Sequence, residues 1–310
     1  MVIGRLSALA VLCLPATAGA YDYRVLGEAH ASDDTDHQSQ QWFYAGYQRA
    51  LPQVAADSSG AAWLGWRHLE SDDGSESFKA LRLDFEAPTT ERTRVKLRLN
   101  PLIGSDWSPV LGGVSAIWKP DATWYFEAFA DRELVDTVRA VRDENHVDTY
   151  GLSGDYRFWG LLTLIVSAFG QSFDDGNERL GRVFRLDYAS EAWAGFGAQL
   201  RAKRVDADAP GVGYFSPRRL EEAELWLRYV VPLADQRWQL ALRASGGRQR
   251  IDGNGSENLY GAEIGLRGWF TDHYGLEAQA QCSNTGGLAG DAADDGYRYC
   301  AATLSFIGSW

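Results

Sequence analysis

Polar and apolar residues alternate along most of the chain after residue 20, in runs that are separated by turn residues. In residues 94–99, Val95, Leu97 and Leu99 share one face, and the positions between them are Lys or Arg. Residues 80–86, 223–229, 238–244 and 260–266 repeat this pattern. A period of two is that of a β-strand with one apolar and one polar face. About sixteen such segments occur, with no convincing amphipathic helix, which predicts an all-β chain.

The connections between these segments alternate between long and short. A soluble β-sandwich has no reason for this asymmetry, whereas outer-membrane barrels combine short periplasmic turns with long extracellular loops. We therefore predict a signal peptide followed by one transmembrane antiparallel up-and-down β-barrel over residues 21–310, with about 16 strands (about 14–18 fit) and both termini in the periplasm of a Gram-negative cell. The long connections are predicted at residues 32–41, 70–76, 101–109, 132–146, 173–179, 206–220, 246–257 and 283–296, and the short ones at residues 87–90, 119–122, 158–160, 190–192, 232–236 and 271–273. The first turn, at residues 51–60, is longer than the alternation predicts.

The aromatic residues support the same prediction. They make up 13% of the chain and include 12 Trp, which is typical of the belts that Trp and Tyr form at both membrane interfaces. The last predicted strand ends at Trp310, and a terminal aromatic strand resembles the closing strand that the outer-membrane assembly machinery recognises. The aromatic residues beside short connections are Trp118, Trp124, Trp159, Trp193, Trp238, Trp269 and Phe270.

The first twenty residues have the features of a secretory signal peptide: Arg5, a short apolar run, and a small-residue site at residues 18–20. No later apolar run reaches the roughly eighteen residues of a membrane-spanning helix. The formal net charge of −12 disfavours nucleic acid as a partner. Cys282 and Cys300 flank the last long connection at equivalent parity, and in an exported chain this predicts a disulfide.

Strand parity assigns many charged residues to the inward face, because Arg or Lys facing lipid at the midplane costs about 2–4 kcal/mol. Two interpretations are compatible: ion pairs that brace the wall, and a hydrated path of mixed charge for a polar solute. Basic positions slightly outnumber acidic ones. The acidic candidates are Glu28, Asp84, Glu86, Glu127, Asp155, Asp187, Glu224, Glu263 and Glu277, and the basic ones are Arg67, Arg82, Arg94, Lys96, Arg98, Arg157, Arg185, Arg201, Lys203, Arg228, Arg243 and Arg267.

The sequence gives little support to catalysis or metal binding. His146, two residues from Asp148, is the one candidate for a catalytic dyad. It has no recognisably spaced partner acid, and no Ser lies in a nucleophile motif, so we expect a protein without enzymatic activity. Paired aspartates in the long connections, such as residues 33–34 and 294–295, lack the ligand spacing of a calcium site. We expect neither a cofactor nor a resident metal.

Residues 211–220 interrupt the alternation with two Gly, two aromatics, Pro217 and two adjacent Arg. Pro217 cannot donate to a strand ladder, so this segment is predicted to be an ordered loop. Tyr214-Phe-Ser-Pro-Arg-Arg219, then a strand at residues 223–229 and a Trp-containing strand that ends in Gly at residues 237–247, resembles the barrel domains of outer-membrane exopolysaccharide exporters. Those are the cellulose and poly-N-acetylglucosamine secretion porins and their small relatives.

The resemblance implies a conduit for secretion of an exopolysaccharide across the outer membrane. The alternative is a general diffusion porin, or a structural barrel without glycan specificity. The partners implied are outer-membrane lipid and lipopolysaccharide, the polysaccharide chain, and a separate periplasmic scaffold and inner-membrane glycan synthase. Residues 214–219 are a candidate gate in the extracellular mouth, with two Arg available to pair with wall carboxylates. The candidate residues of the solute path are Tyr214, Phe215, Arg218, Arg219, Glu224, Trp226, Arg228 and Glu127.

Overall fold

The computed structural model describes residues 23–211, 213–234, 236–284 and 297–310. The predicted signal peptide and the aspartate pair at residues 294–295 lie outside these ranges. Over the described residues the chain forms a closed antiparallel barrel in which each strand pairs with its neighbours in sequence. This confirms the all-β prediction and the strand number near sixteen.

The strands are 9 to 15 residues long, and one short helix lies between the seventh and eighth. In chain order they are β1 (Tyr23–Asp34), β2 (Ser39–Ala50), β3 (Ser59–Ser71), β4 (Gly74–Pro88), β5 (Thr93–Ile103), β6 (Val110–Trp118), β7 (Trp124–Leu134), α1 (Val138–Arg142), β8 (His146–Phe158), β9 (Leu162–Phe173), β10 (Glu178–Ala189), β11 (Phe196–Ala207), β12 (Arg219–Leu233), β13 (Trp238–Ile251), β14 (Glu257–Trp269), β15 (Tyr274–Ser283) and β16 (Tyr299–Ser309).

Closure comes from the pairing of the first strand with the last. Arg24 of β1 is opposite Gln48 of β2 on one side and Ser309 of β16 on the other. A closed ladder leaves no edge strand, so the backbone N–H and C=O groups of the wall bond to one another. This arrangement satisfies a sheet in lipid, where no water is available to unpaired groups.

The two ends of the barrel differ in how their strands are joined. The terminal end, where β1 begins and β16 ends, has connections at residues 51–58, 89–92, 119–123, 159–161, 190–195, 234–237 and 270–273. The opposite end, called the loop end, has connections at residues 35–38, 72–73, 104–109, 135–145, 174–177, 208–218, 252–256 and 284–298.

Several connections that were predicted to be long are in fact tight turns. The β3–β4 ladder continues to the pair Ser71 and Gly74, so the predicted loop at residues 70–76 reduces to residues 72–73. The polar residues at the loop end keep pairing beyond the apolar band, because strand pairing needs backbone partners and not an apolar face. Long connections remain at residues 135–145, 208–218 and 284–298.

The exterior is apolar around the barrel. Leu64 and Leu152 on the outward face are 69% and 66% exposed, which is the opposite of a water-soluble protein and is expected of side chains in contact with lipid. Trp269 departs from the predicted aromatic belt, since its parity places it inward, where its ring lies against Gly275. No helix in the described ranges is long and apolar enough to cross a bilayer. Exposed aromatics beside the terminal-end connections include Trp118, Trp124, Trp159, Trp193 and Phe270.

Candidate functional site: the lumen and its plug

The ladder register places the charged residues that were predicted to face inward on the same, inward face of the sheet. Directly opposite residues on paired strands lie on the same face of the sheet. Arg82 is opposite Trp63, and Arg201 is opposite Glu224, so the inward face can be followed from strand to strand around the barrel. Lys96, a further residue of this set, is opposite Glu86 and Ser115. The lumen wall is therefore polar and of mixed charge.

One group of ion pairs ties the first strand to the fourth. Arg82 of β4 donates to Glu28 Oε2 at 3.0 Å and to Asp84 Oδ1 at 3.1 Å. Trp63 donates through its indole nitrogen to Asp84 Oδ2 at 2.8 Å, and its ring lies 4.8 Å from the Arg82 guanidinium carbon. These side chains reach across β2 and β3 and brace that part of the wall.

A second group crosses β6 at a glycine. Arg98 of β5 donates to Asp131 Oδ1 at 2.9 Å and to Glu133 Oε1 at 2.8 Å, both on β7. Gly113 lies between Arg98 and Asp131 in the register. A Cβ atom at residue 113 would lie 1.9 Å from Asp131 Oδ1, so only glycine leaves room for the ion pair.

Water reaches the lumen wall towards the terminal end. Lys96, Arg157 and Glu277 are inward-facing and exposed, and exposure keeps these charged groups hydrated. Glu127 accepts a hydrogen bond from the Tyr125 hydroxyl at 2.8 Å. The terminal half of the lumen is therefore hydrated.

At the loop end, residues 135–145 fold back into the lumen. Thr137 caps α1 by accepting a hydrogen bond from the Ala140 amide at 3.2 Å. Val138 and Val141 are 0% and 3% exposed. They pack against inward-facing residues of β2 to β6, namely Tyr44, Trp63, Leu69, Phe78, Leu102 and Leu111.

This helix was not predicted from the sequence. Its five residues are too few for a 3.6-residue period to be recognised. The available signal was Thr137, a good N-cap residue, directly before the apolar residues Val138, Ala140 and Val141. The far end of α1 is fixed by Arg142, which donates to Glu76 Oε1 at 2.8 Å.

Residues 213–217, in the connection between β11 and β12, enter the mouth from the opposite wall and meet this segment. Thr137 Oγ1 donates to the Gly213 carbonyl at 2.6 Å. The Tyr214 ring stacks on Phe173, with 4.8 Å between ring centroids, and its hydroxyl donates to Asp175 Oδ2 at 2.8 Å. Burial raises the pKa of Tyr214 to about 12, so this hydroxyl remains a donor at any physiological pH.

Arg179, at the start of β10, connects this loop to the wall. Its Nε donates to Ser216 Oγ at 2.8 Å and one terminal nitrogen donates to the Phe215 carbonyl at 2.6 Å. Its guanidinium carbon lies 4.5 Å from the Phe173 ring centroid. Ser216 is fully buried and also accepts from Asn177 at 3.0 Å. A buried arginine satisfied by loop atoms holds the loop in one position.

The far side of the loop closes onto the remaining wall. Phe215 packs against a cluster of inward-facing residues from β9 to β13 that includes Val183 and Val205. Residues 135–145 and 213–217, hereafter the plug, thus form a packed layer from the β2–β6 wall to the β9–β13 wall.

The predicted path residues do not all reach the lumen. Glu224 and Trp226 face it, and Glu224 is 4% exposed and lies 3.8 Å from Arg201. Arg219 lies instead on the outward face at the start of β12, where it donates to Asp206 Oδ1 at 2.9 Å. Arg219 therefore meets a carboxylate of the wall on its outward face and not in the lumen, because β12 starts at this residue and parity turns it outward. Arg218 is exposed.

The rim histidine lies in a network that joins two connections. His146 Nδ1 contacts Asp174 Oδ2, and its Nε2 lies 3.9 Å from Asp148 Oδ2. Asp148 accepts two hydrogen bonds from Arg132, at 2.6 and 2.7 Å. The carboxylate of the candidate dyad is thus held by an arginine. No group of three His, Cys, Asp or Glu side chains in the described ranges is placed to hold a metal ion.

Cys282 of β15 and Cys300 of β16 are joined by a disulfide. They are directly opposite each other in the register, on the outward face. The bond closes the base of the connection at residues 284–298.

An antiparallel sheet that closes on itself, with an apolar exterior and a polar lumen, defines a transmembrane β-barrel of the outer-membrane class. The chain is similar to a solved structure described as a bacterial polysaccharide outer membrane secretin, with a TM-score of 0.71 and 10% identity over 94% of this chain and 99% of that chain. It also matches the high-pH structure of Pseudomonas putida OprB (TM-score 0.48, 9% identity, 94% of each chain) and Pseudomonas aeruginosa OccK7 (TM-score 0.48, 8% identity, 93% of this chain and 97% of that chain). No family profile and no curated protein matches the sequence. The first structural likeness shows the fold, and at this identity it shows the fold alone.

Proposed function

We propose that this protein is an outer-membrane porin that acts as a gated conduit for secretion of an exopolysaccharide. The observation that carries the proposal is the plug, which is packed between two walls at one end of a hydrated lumen. A general diffusion channel works by remaining open, and it has no need of a buried arginine such as Arg179 to hold a loop across its mouth. A secretion conduit must stay closed to periplasmic solutes until its polymer arrives.

The chemistry of the wall suits a moving glycan chain. Passage requires aromatic faces for sugar rings and many weak polar contacts, since a site that binds too strongly would retain the chain. Trp226 supplies an inward aromatic, and the plug contributes Tyr214 and Phe215. The similar barrel with a TM-score of 0.71 is described as a polysaccharide secretin, and a cargo of this class accords with that likeness.

In the proposed orientation, the terminal end faces the periplasm and the loop end faces outside. The exterior of the loop end carries four arginines on β10 to β13 that outnumber the two carboxylates they share, Asp206 and Glu221; these arginines are Arg182, Arg204, Arg219 and Arg250. Arginine is well suited to phosphate, and the phosphates of lipopolysaccharide would lie at this level of the outer leaflet. A periplasmic scaffold and a glycan synthase would then deliver the polymer to the terminal end.

The alternative is a general diffusion porin. The exposed charges Lys96, Arg157 and Glu277 in the terminal half favour it, because a hydrated lumen serves small solutes as well as polymers. The two functions make different predictions: a gated conduit is closed in the native barrel and is blocked by glycans once opened, whereas a diffusion porin is open and unaffected by glycans.

Secretion itself gives the direct test. We expect a strain that lacks this barrel to lose its secreted matrix polysaccharide, and a plasmid copy to restore it. A deletion strain that secretes normal matrix would overturn the proposed function.

Conductance in planar bilayers separates the two candidates. The native barrel should pass little current, deletion of residues 213–217 should open it, and glycan oligomers should block the opened pore. Deletion of residues 253–255, in another loop-end connection, is the matched control and should leave the current low. A native pore that is open and indifferent to glycans would establish the alternative.

A further inference from the structure

Four arginines on neighbouring strands face one another in the lumen as two pairs of like charge. Arg185 of β10 is directly opposite Arg201 of β11, and Arg228 of β12 is directly opposite Arg243 of β13. Like charges directly opposite in a sheet are destabilising. The barrel therefore maintains a repulsive arrangement on one side of its lumen, here called the arginine cluster.

The cluster has hydrogen-bond donors without a partner in the part of the chain that the structure describes. The Nε atoms of Arg185, Arg201 and Arg243 are buried and form no hydrogen bond with any described residue. Arg185 is only 5% exposed, and within the described ranges neither it nor Arg228 forms an ion pair with a carboxylate. A buried donor without an acceptor is costly, so an anionic acceptor at the cluster would be favoured.

The carboxylates around the cluster do not saturate it. Glu224 lies 3.8 Å from Arg201, and Glu263 lies 3.0 Å from Arg243. Asp155 and Asp187 attract Arg185 electrostatically but form no ion pair with it in the described ranges, and Asp187 also accepts a hydrogen bond from Gln199 at 2.5 Å. Because a guanidinium has five N–H donors, each arginine retains donors after these contacts.

Groups that recognise sugars lie beside the cluster. Trp226 is opposite Gln199 and Ser245 in the register. The Arg243 guanidinium carbon is 5.0 Å from the Trp226 ring centroid, and Ser245 Oγ is buried with no hydrogen-bond partner among the described residues. An aromatic ring, an amide and an unused hydroxyl thus adjoin the unused cationic donors.

We propose that the arginine cluster is a lumen subsite for the carboxylate of acidic sugar residues in a secreted polysaccharide. This inference rests on the proposed conduit function and specifies its cargo as an anionic glycan. A planar guanidinium matches a carboxylate with two parallel hydrogen bonds. A carboxylate bound by either pair relieves the repulsion within that pair, and the neighbouring Trp226 offers a face to the ring that bears it.

The overall charge of the protein argues that any such binding is local. The chain has a formal net charge of −12, so its long-range field repels anions. Affinity for a charged oligosaccharide would then arise at the cluster itself and depend on its individual arginines.

Calorimetric titration of the full-length barrel in detergent tests the proposal with trigalacturonate and its methyl ester, which keeps the sugar backbone and removes the charge. We expect the acid to bind at least about tenfold more tightly than the ester, the worth of one hydrogen bond between charged groups. Arg228→Gln and Arg185→Gln should each reduce affinity for the acid about tenfold and leave that for the ester unchanged. Arg248→Gln, on the outward face, is the matched control and should bind as the native protein does.

Heat-modifiable migration on gels would verify that each variant is a closed barrel. Arg243→Lys is a further variant that keeps the positive charge but loses the paired N–H donors of the guanidinium. Equal binding of acid and ester, or variants that bind like the native barrel, would overturn the subsite. Inorganic phosphate that displaces the acid at equal concentration would overturn its assignment to sugars. The two experiments distinguish failure of the subsite from failure of the conduit. If the barrel prefers the acid but the deletion strain still secretes its polysaccharide, only the conduit is refuted. If the deletion strain loses secretion but the barrel binds acid and ester equally, only the subsite is refuted.

Discussion

Tyr214→Ala is the most direct test of the plug. The substitution removes the ring that stacks on Phe173 and the hydroxyl that donates to Asp175 at 2.8 Å and accepts from Asn177 at 3.1 Å. Tyr214 is 3% exposed and its contacts join the loop to the plug segment at residues 135–145. None of these contacts belongs to a strand ladder, so the loss should fall on plug closure and not on the barrel.

Burial sets the size of the effect. Truncation of a buried aromatic side chain to Ala costs about 3–5 kcal/mol. If that cost falls on the closed plug, its opening equilibrium shifts by about two to three and a half powers of ten. Tyr214→Phe keeps the ring and loses only the hydroxyl contacts, one of them to a carboxylate, for a shift of about one to two powers of ten.

Single-channel recording in planar bilayers measures the shift as the frequency and duration of open events. We expect the order Tyr214→Ala, then Tyr214→Phe, then the native barrel. Tyr260→Ala is the control, because Tyr260 is outward-facing and 53% exposed. A folded Tyr214→Ala barrel with native opening frequency would refute the reasoning, and so would a Tyr260→Ala barrel that opens equally often.

Three further predictions concern the wall. Gly113→Val should lower the temperature at which the barrel unfolds on heated gels, because the Cβ of the new side chain meets Asp131 Oδ1. Gly246→Ala is the control and should leave this temperature unchanged, because nothing lies within 4 Å of the added Cβ. If both variants unfold at the same temperature, the role given to Gly113 is contradicted. Lys203→Met should lower the free energy of unfolding in urea by about 3–5 kcal/mol, since Glu222, 3.0 Å away and buried, loses its ionic partner. Adding Glu222→Leu to this variant should restore most of the lost stability. A double variant as unstable as Lys203→Met would show that the broken ion pair is not the cause. The double variant Cys282→Ser, Cys300→Ser should still form a closed barrel, since the β15–β16 ladder pairs these strands without the disulfide. A double variant that fails to migrate as a barrel would contradict this. Mass spectrometry of alkylated native protein, with and without reduction, verifies the bond.

The barrel wall could be predicted from sequence because its signal is local and repeated. Alternation in segments such as residues 94–99 indicates both the strand and its inward face, and the register brings Arg94, Lys96 and Arg98 to that face. Loop lengths were predicted less well, because polar residues such as Ser71 and Ser75 are typical of loops and yet belong to the paired β3 and β4 strands. Arg219 was misplaced for the same reason, since one position of strand start decides between lumen and exterior.

The site depends on contacts that no local pattern carries. Local pattern alone predicts an antiparallel barrel of about sixteen strands, its polar lumen, and the position of the unusual loop between β11 and β12, because alternation and turn residues are properties of neighbouring positions. The tertiary structure decided that residues 135–145 form α1 and enter the lumen, and that Arg179 and Tyr214 lock the loop against it. It also decided which arginines oppose each other, because register follows from the pairing of whole strands, and a shift of one residue turns each side chain to the other face.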